Sequence, residues 1–128
     1  MLKRSFLTLW IMISVIKPGL TQADEPFMPY MNPEGPAPRE IQCRIADNGT
    51  IYHNGACYFQ ADVDGSFTVV TGNAKYAAAV WMIGDGHAEG MWTEEAYASH
   101  MHGQPHNLSR STQDSACWEN DELSICAW

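Results

Sequence analysis

Four cysteines, Cys43, Cys57, Cys117 and Cys126, limit more than any other feature what this chain of 128 residues can fold into. An even cysteine count in an exported chain reads as a set of disulfides, and the first residues predict export. Met1-Leu2-Lys3-Arg4 is a short basic start, Phe6 to Ile16 is apolar apart from Thr8 and Ser14, and Lys17-Pro18-Gly19 ends any helix. Small side chains at Thr21 and Ala23 fit a signal-peptidase pocket, which makes residues 1–23 a signal peptide cut before Asp24. The apolar run is far shorter than the roughly 20 residues of a bilayer span, so no membrane anchor is expected. No cysteine stands at the cut to carry a lipid. A periplasmic or secreted product is the expectation.

Four cysteines allow three pairings, and one segment favours a choice. Residues 116–126 read as a hairpin turning at Asp121-Glu122, with Asn120 opposite Leu123. Counting outward puts Cys117 opposite Cys126 at a non-hydrogen-bonded pair, where two strands come closest and a bridge fits. Cys43–Cys57 is then the second bridge. The same alternation sends Trp118, Leu123, Ile125 and Ala127 to the other face, the expected core side. A thiolate metal site is the alternative, but no Cys-x-x-Cys pair is present.

After cleavage 105 of the 128 residues remain, enough for one modest core. Four basic residues (Arg39, Arg44, Lys75, Arg110) then face all 15 acidic ones, a formal charge of −11. Such a chain repels phosphate backbones and anionic lipid, so nucleic acid is not an expected partner. Opposite charge steers it toward a basic protein or cations. Residues 24–40 hold five of the seven prolines and read as an extended or disordered leader. Residues 41–128 form the expected disulfide-bonded domain.

Turn chemistry punctuates that domain at Asn48-Gly49, Asn54-Gly55, Asp64-Gly65 and Gly72-Asn73. Short apolar stretches between these turns predict strands over 41–46, 50–53, 56–63 and 66–71, and hence a mostly β fold, a small antiparallel barrel or sandwich. In residues 73–83 the first half favours helix and residues 80–83 favour strand, neither period fits the whole run well, and the neighbours favour strand. Residues 84–106 read as a long loop with one helical turn capped by Thr93.

The loop carries the candidate chemistry. His100 and His102 project to one face if extended, and His106 returns over the Pro105 turn. Imidazoles in this spacing suit zinc or copper, with His87, Asp85, Glu95, Met91 and Met101 nearby in sequence. Backbone hydrogen bonding is the plainer role for these histidines. Asp85, Glu94 and Glu95 are the acidic contacts expected for a basic partner. Asp62-Val63-Asp64-Gly65 resembles the start of a calcium loop, but the twelfth position is Thr71 where a glutamate is needed. Catalytic arrangements are missing: Ser99 beside His100 is not a triad, and no nucleophile elbow or His-Glu-x-x-His occurs. Trp81 and Trp92 read as core residues.

Gly55-Ala56-Cys57-Tyr58-Phe59, Asp64-Gly65-Ser66-Phe67, Ser99-His100-Met101-His102 and the tail Ala116-Cys117-Trp118-Glu119-Asn120 with Ile125-Cys126-Ala127-Trp128 together resemble an uncharacterised family of small exported bacterial cysteine-containing domains. That resemblance implies a bacterial envelope home and no particular activity. Size, charge and cysteine usage are also similar to periplasmic lysozyme inhibitors, by class and not by residue. The leading expectation is a non-enzymatic binding module that captures or inhibits a basic protein such as a lysozyme or toxin. A transition-metal-binding protein and a structural envelope protein are the alternatives.

Overall fold

The computed structural model describes residues 30–98, 101 and 103–128. Eight strands run in sequence order: β1 (Arg39–Asp47), β2 (Thr50–Ala61), β3 (Phe67–Thr71), β4 (Ala77–Gly84), β5 (His87–Thr93), β6 (His106–Arg110), β7 (Cys117–Glu119) and β8 (Leu123–Ala127). Each pairs antiparallel with the next, and β8 pairs with β1, closing an up-and-down barrel. Closure matters for so small a domain, because it leaves no open sheet edge.

Eight strands enclose a space just wide enough for side chains to fill, and here every strand contributes to the filling. Cys43, Ile45, Cys57, Phe67, Val69, Ala78, Val80, Ala88, Leu108, Trp118, Leu123 and Ile125 form one buried cluster. The bulk of Leu108 on β6 is met by small residues on neighbouring β5. Gly90 is one of these: a Cβ there would stand 2.5 Å from Leu108 Cδ1 and 3.3 Å from the Ala79 carbonyl. The interior is therefore packed, and the clefts of this barrel lie on its surface.

Several sequence expectations meet their test here. Within the run 73–83, residues from Ala77 on become β4, as its neighbours suggested, while 73–76 form the β3–β4 turn. The cysteine hairpin has the predicted register: Cys117 faces Cys126, and the Asn120 N–H donates to the Leu123 carbonyl at 2.9 Å. Both predicted disulfides are present, Cys43–Cys57 and Cys117–Cys126. Asn54-Gly55 is not a turn. Asn48-Gly49 already reverses the chain with positive φ at both residues (50° and 81°), and β2 runs straight through Asn54 and Gly55 opposite Arg44 and Cys43.

The loop expected over 84–106 is shorter. A turn at Asp85-Gly86 leads into β5, whose small inward residues Ala88 and Gly90 give little periodic apolar signal. Thr93 caps no helix. Its hydroxyl accepts from the Glu95 N–H at 3.1 Å, and one turn follows, closed by the Ala98 N–H on the Glu95 carbonyl at 3.0 Å. Trp81 is exposed rather than core, because alternation along β4 turns it away from Val80.

Residues 30–38 carry neither helix nor strand and lie along the outer wall. The Gln60 amide holds them: its Nε2 donates to the Asn32 and Pro36 carbonyls at 2.8 and 2.7 Å, and its Oε1 accepts from the Asn32 N–H. Tyr30 and Met31 then cover a second apolar cluster of Val70, Ala77 and Ala96 with Met101. The Tyr30 hydroxyl donates to the Ala98 carbonyl at 2.7 Å, tying this segment to the β5–β6 loop.

Candidate functional site

Up-and-down topology sends alternate connections to opposite rims. One rim gathers the β1–β2, β3–β4, β5–β6 and β7–β8 connections. It carries six carboxylates: Asp47, Glu94, Glu95, Glu119, Asp121 and Glu122. Of the four lysines and arginines among the described residues, only Lys75 lies here, with its ammonium 5.5 Å from the centre of the Tyr76 ring. Arg39 and Arg110 lie toward the other rim, each stacked over an aromatic ring, Phe59 and Trp118 respectively. Arg44 lies in the wall of β1.

Two contacts knit the acidic rim together. The Asn48 N–H donates to the Glu122 carbonyl at 2.8 Å, which clamps the first turn to the last. His106 Nδ1 stands 4.0 Å from Glu122 Oε2, an ion pair only when the imidazole is protonated. Inside the rim three rings meet: Tyr52 and Trp92 at 4.6 Å between centroids, with Tyr76 at 6.0 Å from each. A bulge in β1–β2 pairing next to Ile45 and Ala46 lets Tyr52 reach this group. Trp92 Nε1–H donates to Asp47 Oδ2 at 2.8 Å, while Asp47 Oδ1 is buried without a hydrogen-bond partner.

A cleft of about 540 Å³ opens beside Trp92. Asp47, Glu94, Glu95 and His106 line it together with Met91, Thr93 and Gln104. The negative charge of Glu95 also bears on Tyr30: burial first, then that carboxylate, raises the Tyr30 pKa above its ordinary value of 10.0. Another cleft of about 600 Å³ lies under residues 30–36 against Gln60, Phe67 and Trp81. Glu34 and Asp62 are its charged lining residues.

The structure brings Glu94, Glu95 and His106 into one cleft, as three of the residues expected from sequence. Asp85 is elsewhere: it sits in the β4–β5 turn at the opposite rim, with exposed His87 beside it. Seven residues of β5 separate that turn from Glu94. His100 and His102 lie outside the described residues. Asp47, Glu122 and the three rings escape a sequence reading, because the residues that meet here come from different connections. The one hint was the Asn48-Gly49 turn, which marks Asp47 as a rim residue.

Among the described residues, one close group of metal-ligating side chains lies on β1 and β2. Cys43, His53 and Cys57 have one ligand atom each within 4.8 Å of one another, the two cysteines being joined as a disulfide. The two disulfides indicate an oxidising environment outside the cytoplasm. No described helix is long and apolar enough to cross a membrane. No protein-family model, curated protein or solved structure matches the chain.

Proposed function

We propose that this protein is a small exported, non-enzymatic binding module of the bacterial envelope that captures a basic protein, such as a lysozyme or toxin, on its acidic rim. The observation that carries this reading is the unbalanced charge of this rim: six carboxylates, three of them lining the Trp92 cleft, against Lys75 alone. Like charges held close together cost stability, so a cluster of them with so little basic compensation asks for a counter-charge. A cationic side chain entering the cleft would meet Glu94, Glu95 and Asp47 over a tryptophan edge. Rim charges of this kind act mainly on encounter rate and register, and their effect weakens with salt. The packed interior supports a surface binder over a carrier of small ligands inside the barrel. An export signal over residues 1–23 supports the same setting.

The test is binding of a cationic lysozyme to the purified protein at low ionic strength. Association should weaken in physiological salt and fall about tenfold in Glu94→Gln/Glu95→Gln/Glu122→Gln, three rim charges each contributing a fraction of a kcal/mol to about one. Asp85→Asn, at the other rim, should leave it unchanged. Absence of binding at low salt ends the lysozyme version, and an equal effect of Asp85→Asn removes the rim from the account.

A second reading, a transition-metal protein using His100, His102 and His106, draws support from the carboxylates around His106 in the same cleft. Zinc or copper taken up at submicromolar concentration, and lost in His106→Ala, would favour it over protein capture.

A further inference from the structure

We propose that reduction of the Cys43–Cys57 bridge creates a binding site for monovalent copper, formed by the two thiolates and the His53 imidazole. This site is separate from the acidic rim and does not depend on the reading of that rim.

The placement follows from strand register. Cys43 on β1 faces Gly55 on β2, and Ile41 faces Cys57. The two cysteines are thus diagonal neighbours on the inner face, with Cα atoms 5.8 Å apart. Directly opposite Cys43, Gly55 leaves room that a side chain would fill. The His53 ring occupies it: a Cβ on Gly55 would lie 3.7 Å from His53 Nε2 and 3.8 Å from Cε1. A hydrogen bond of 3.0 Å between His53 Nε2 and the Ala56 carbonyl holds the ring there. One ligand atom from each of the three residues falls within a 4.8 Å group. Ligands of a single ion with bonds of about 2.0–2.3 Å stand roughly 3.5–4 Å apart, so side-chain rotation of about an ångström closes the site.

Access and chemistry select the ion. Cys43 and Cys57 are 0% and 1% exposed, whereas His53 is half-buried and meets solvent. Around it, residues 50–56 of β2 are paired with β1 but not with β3, whose ladder with β2 starts at Cys57–Thr71. An ion therefore reaches the sulfurs from the histidine side. Two thiolates and one imidazole are a soft donor set, suited to monovalent copper. Structural zinc demands four protein ligands, and the group supplies three, so zinc here would need a water in the fourth place.

The step balances with a dithiol reductant. The Cys43–Cys57 bond breaks as two electrons and two protons arrive, giving two thiols, and the reductant leaves as its own disulfide. Binding of one copper ion then forms two sulfur–copper bonds and one nitrogen–copper bond and releases both thiol protons.

The experiment reduces the purified protein and offers it copper(I) held by a chromogenic chelator, with near-ultraviolet circular dichroism reporting the barrel. One copper per chain should move to reduced protein and none to oxidised protein. Cys117→Ala/Cys126→Ala should keep the uptake and Cys43→Ala/Cys57→Ala should lose it. His53→Ala, which leaves both bridges intact, should weaken binding at least tenfold. The proposal is overturned if copper follows Cys117 and Cys126, if His53→Ala binds as tightly, or if reduction abolishes the dichroism, since only the barrel brings these ligands together.

Discussion

Two hairpins of this barrel each carry a disulfide, and the two bridges sit on opposite sides of the wall. In β1–β2, Cys43 and Cys57 belong to the packed interior and touch the main apolar cluster. In β7–β8, Trp118 and Ile125 take the interior, so Cys117 and Cys126 face outward. There they are sealed by Arg44, whose Nη2 lies 3.4 Å from Cys126 Sγ and whose guanidinium stands 5.8 Å from the centre of the Trp128 ring. The geometry of pairing differs too. Cys117 and Cys126 are directly opposed, 4.0 Å apart at Cα, whereas Cys43 and Cys57 cross diagonally. The same covalent device thus does two jobs. The inner bridge is part of the main apolar cluster as well as a constraint on the unfolded chain, while the outer one, though buried, packs outside that cluster under Arg44.

That contrast is open to measurement by urea unfolding of paired alanine variants. Cys43→Ala/Cys57→Ala should show the largest loss, about 4–5 kcal/mol: roughly 3 from loop closure over a separation of 14 residues, the rest from the cavity left in the core. If its loss matches that of the outer pair, the inner bridge carries no packing role.

Trp118→Ala comes next, at about 3–4 kcal/mol, by emptying the inner face of the second hairpin while leaving its bridge closed. A loss below that of the outer bridge would mean that covalent closure, not packing, dominates the second hairpin.

Cys117→Ala/Cys126→Ala should cost less, about 2–3 kcal/mol, since its separation is only 9 residues and its sulfurs lie outside the main apolar cluster. A larger loss would show that Arg44 depends on the sulfur it covers; buried Arg44 Nε already lacks a hydrogen-bond partner.

The smallest effect lies in the β2–β3 turn, outside both hairpin bridges. The Ser66 N–H donates to Asp64 Oδ1 at 2.9 Å. That bond first, and the Ser66 hydroxyl second, hold the Asp64 pKa below its ordinary 3.8. A carboxyl whose pKa falls on folding adds stability above its unfolded value, and the contribution is lost as pH drops through the lowered value. Asp64→Asn should therefore flatten slightly the acid side of the stability profile, in oxidised wild type and in both bridge variants alike. An unchanged acid limb would remove Asp64 from the account.

Local patterns carried much of the fold. The second hairpin was legible because its register is set within eleven consecutive residues, where alternation and a tight turn act alone. Where local signals competed, they misled. Asn54-Gly55 looks like a turn by composition, but a turn there would break the pairing that Asn48-Gly49 has already started. The β5 strand was hidden because two of its inward positions are Ala88 and Gly90, and Gly90 leaves room for Leu108 rather than adding to an apolar periodicity. For the candidate site, Glu94, Glu95 and His106 could be named from sequence, but Asp47 and Glu122 join them only through closure of the barrel.

By itself, then, the amino-acid sequence determined the class of fold, the register of the cysteine hairpin and the strongly acidic character, since each depends on neighbours along the chain or on composition. The tertiary structure alone decided which bridge lies inside, which carboxylates share a rim, and that His53 meets the inner bridge. These are consequences of closing eight strands on themselves: closure fixes strand order and stagger, and so brings together residues that no local interaction could place.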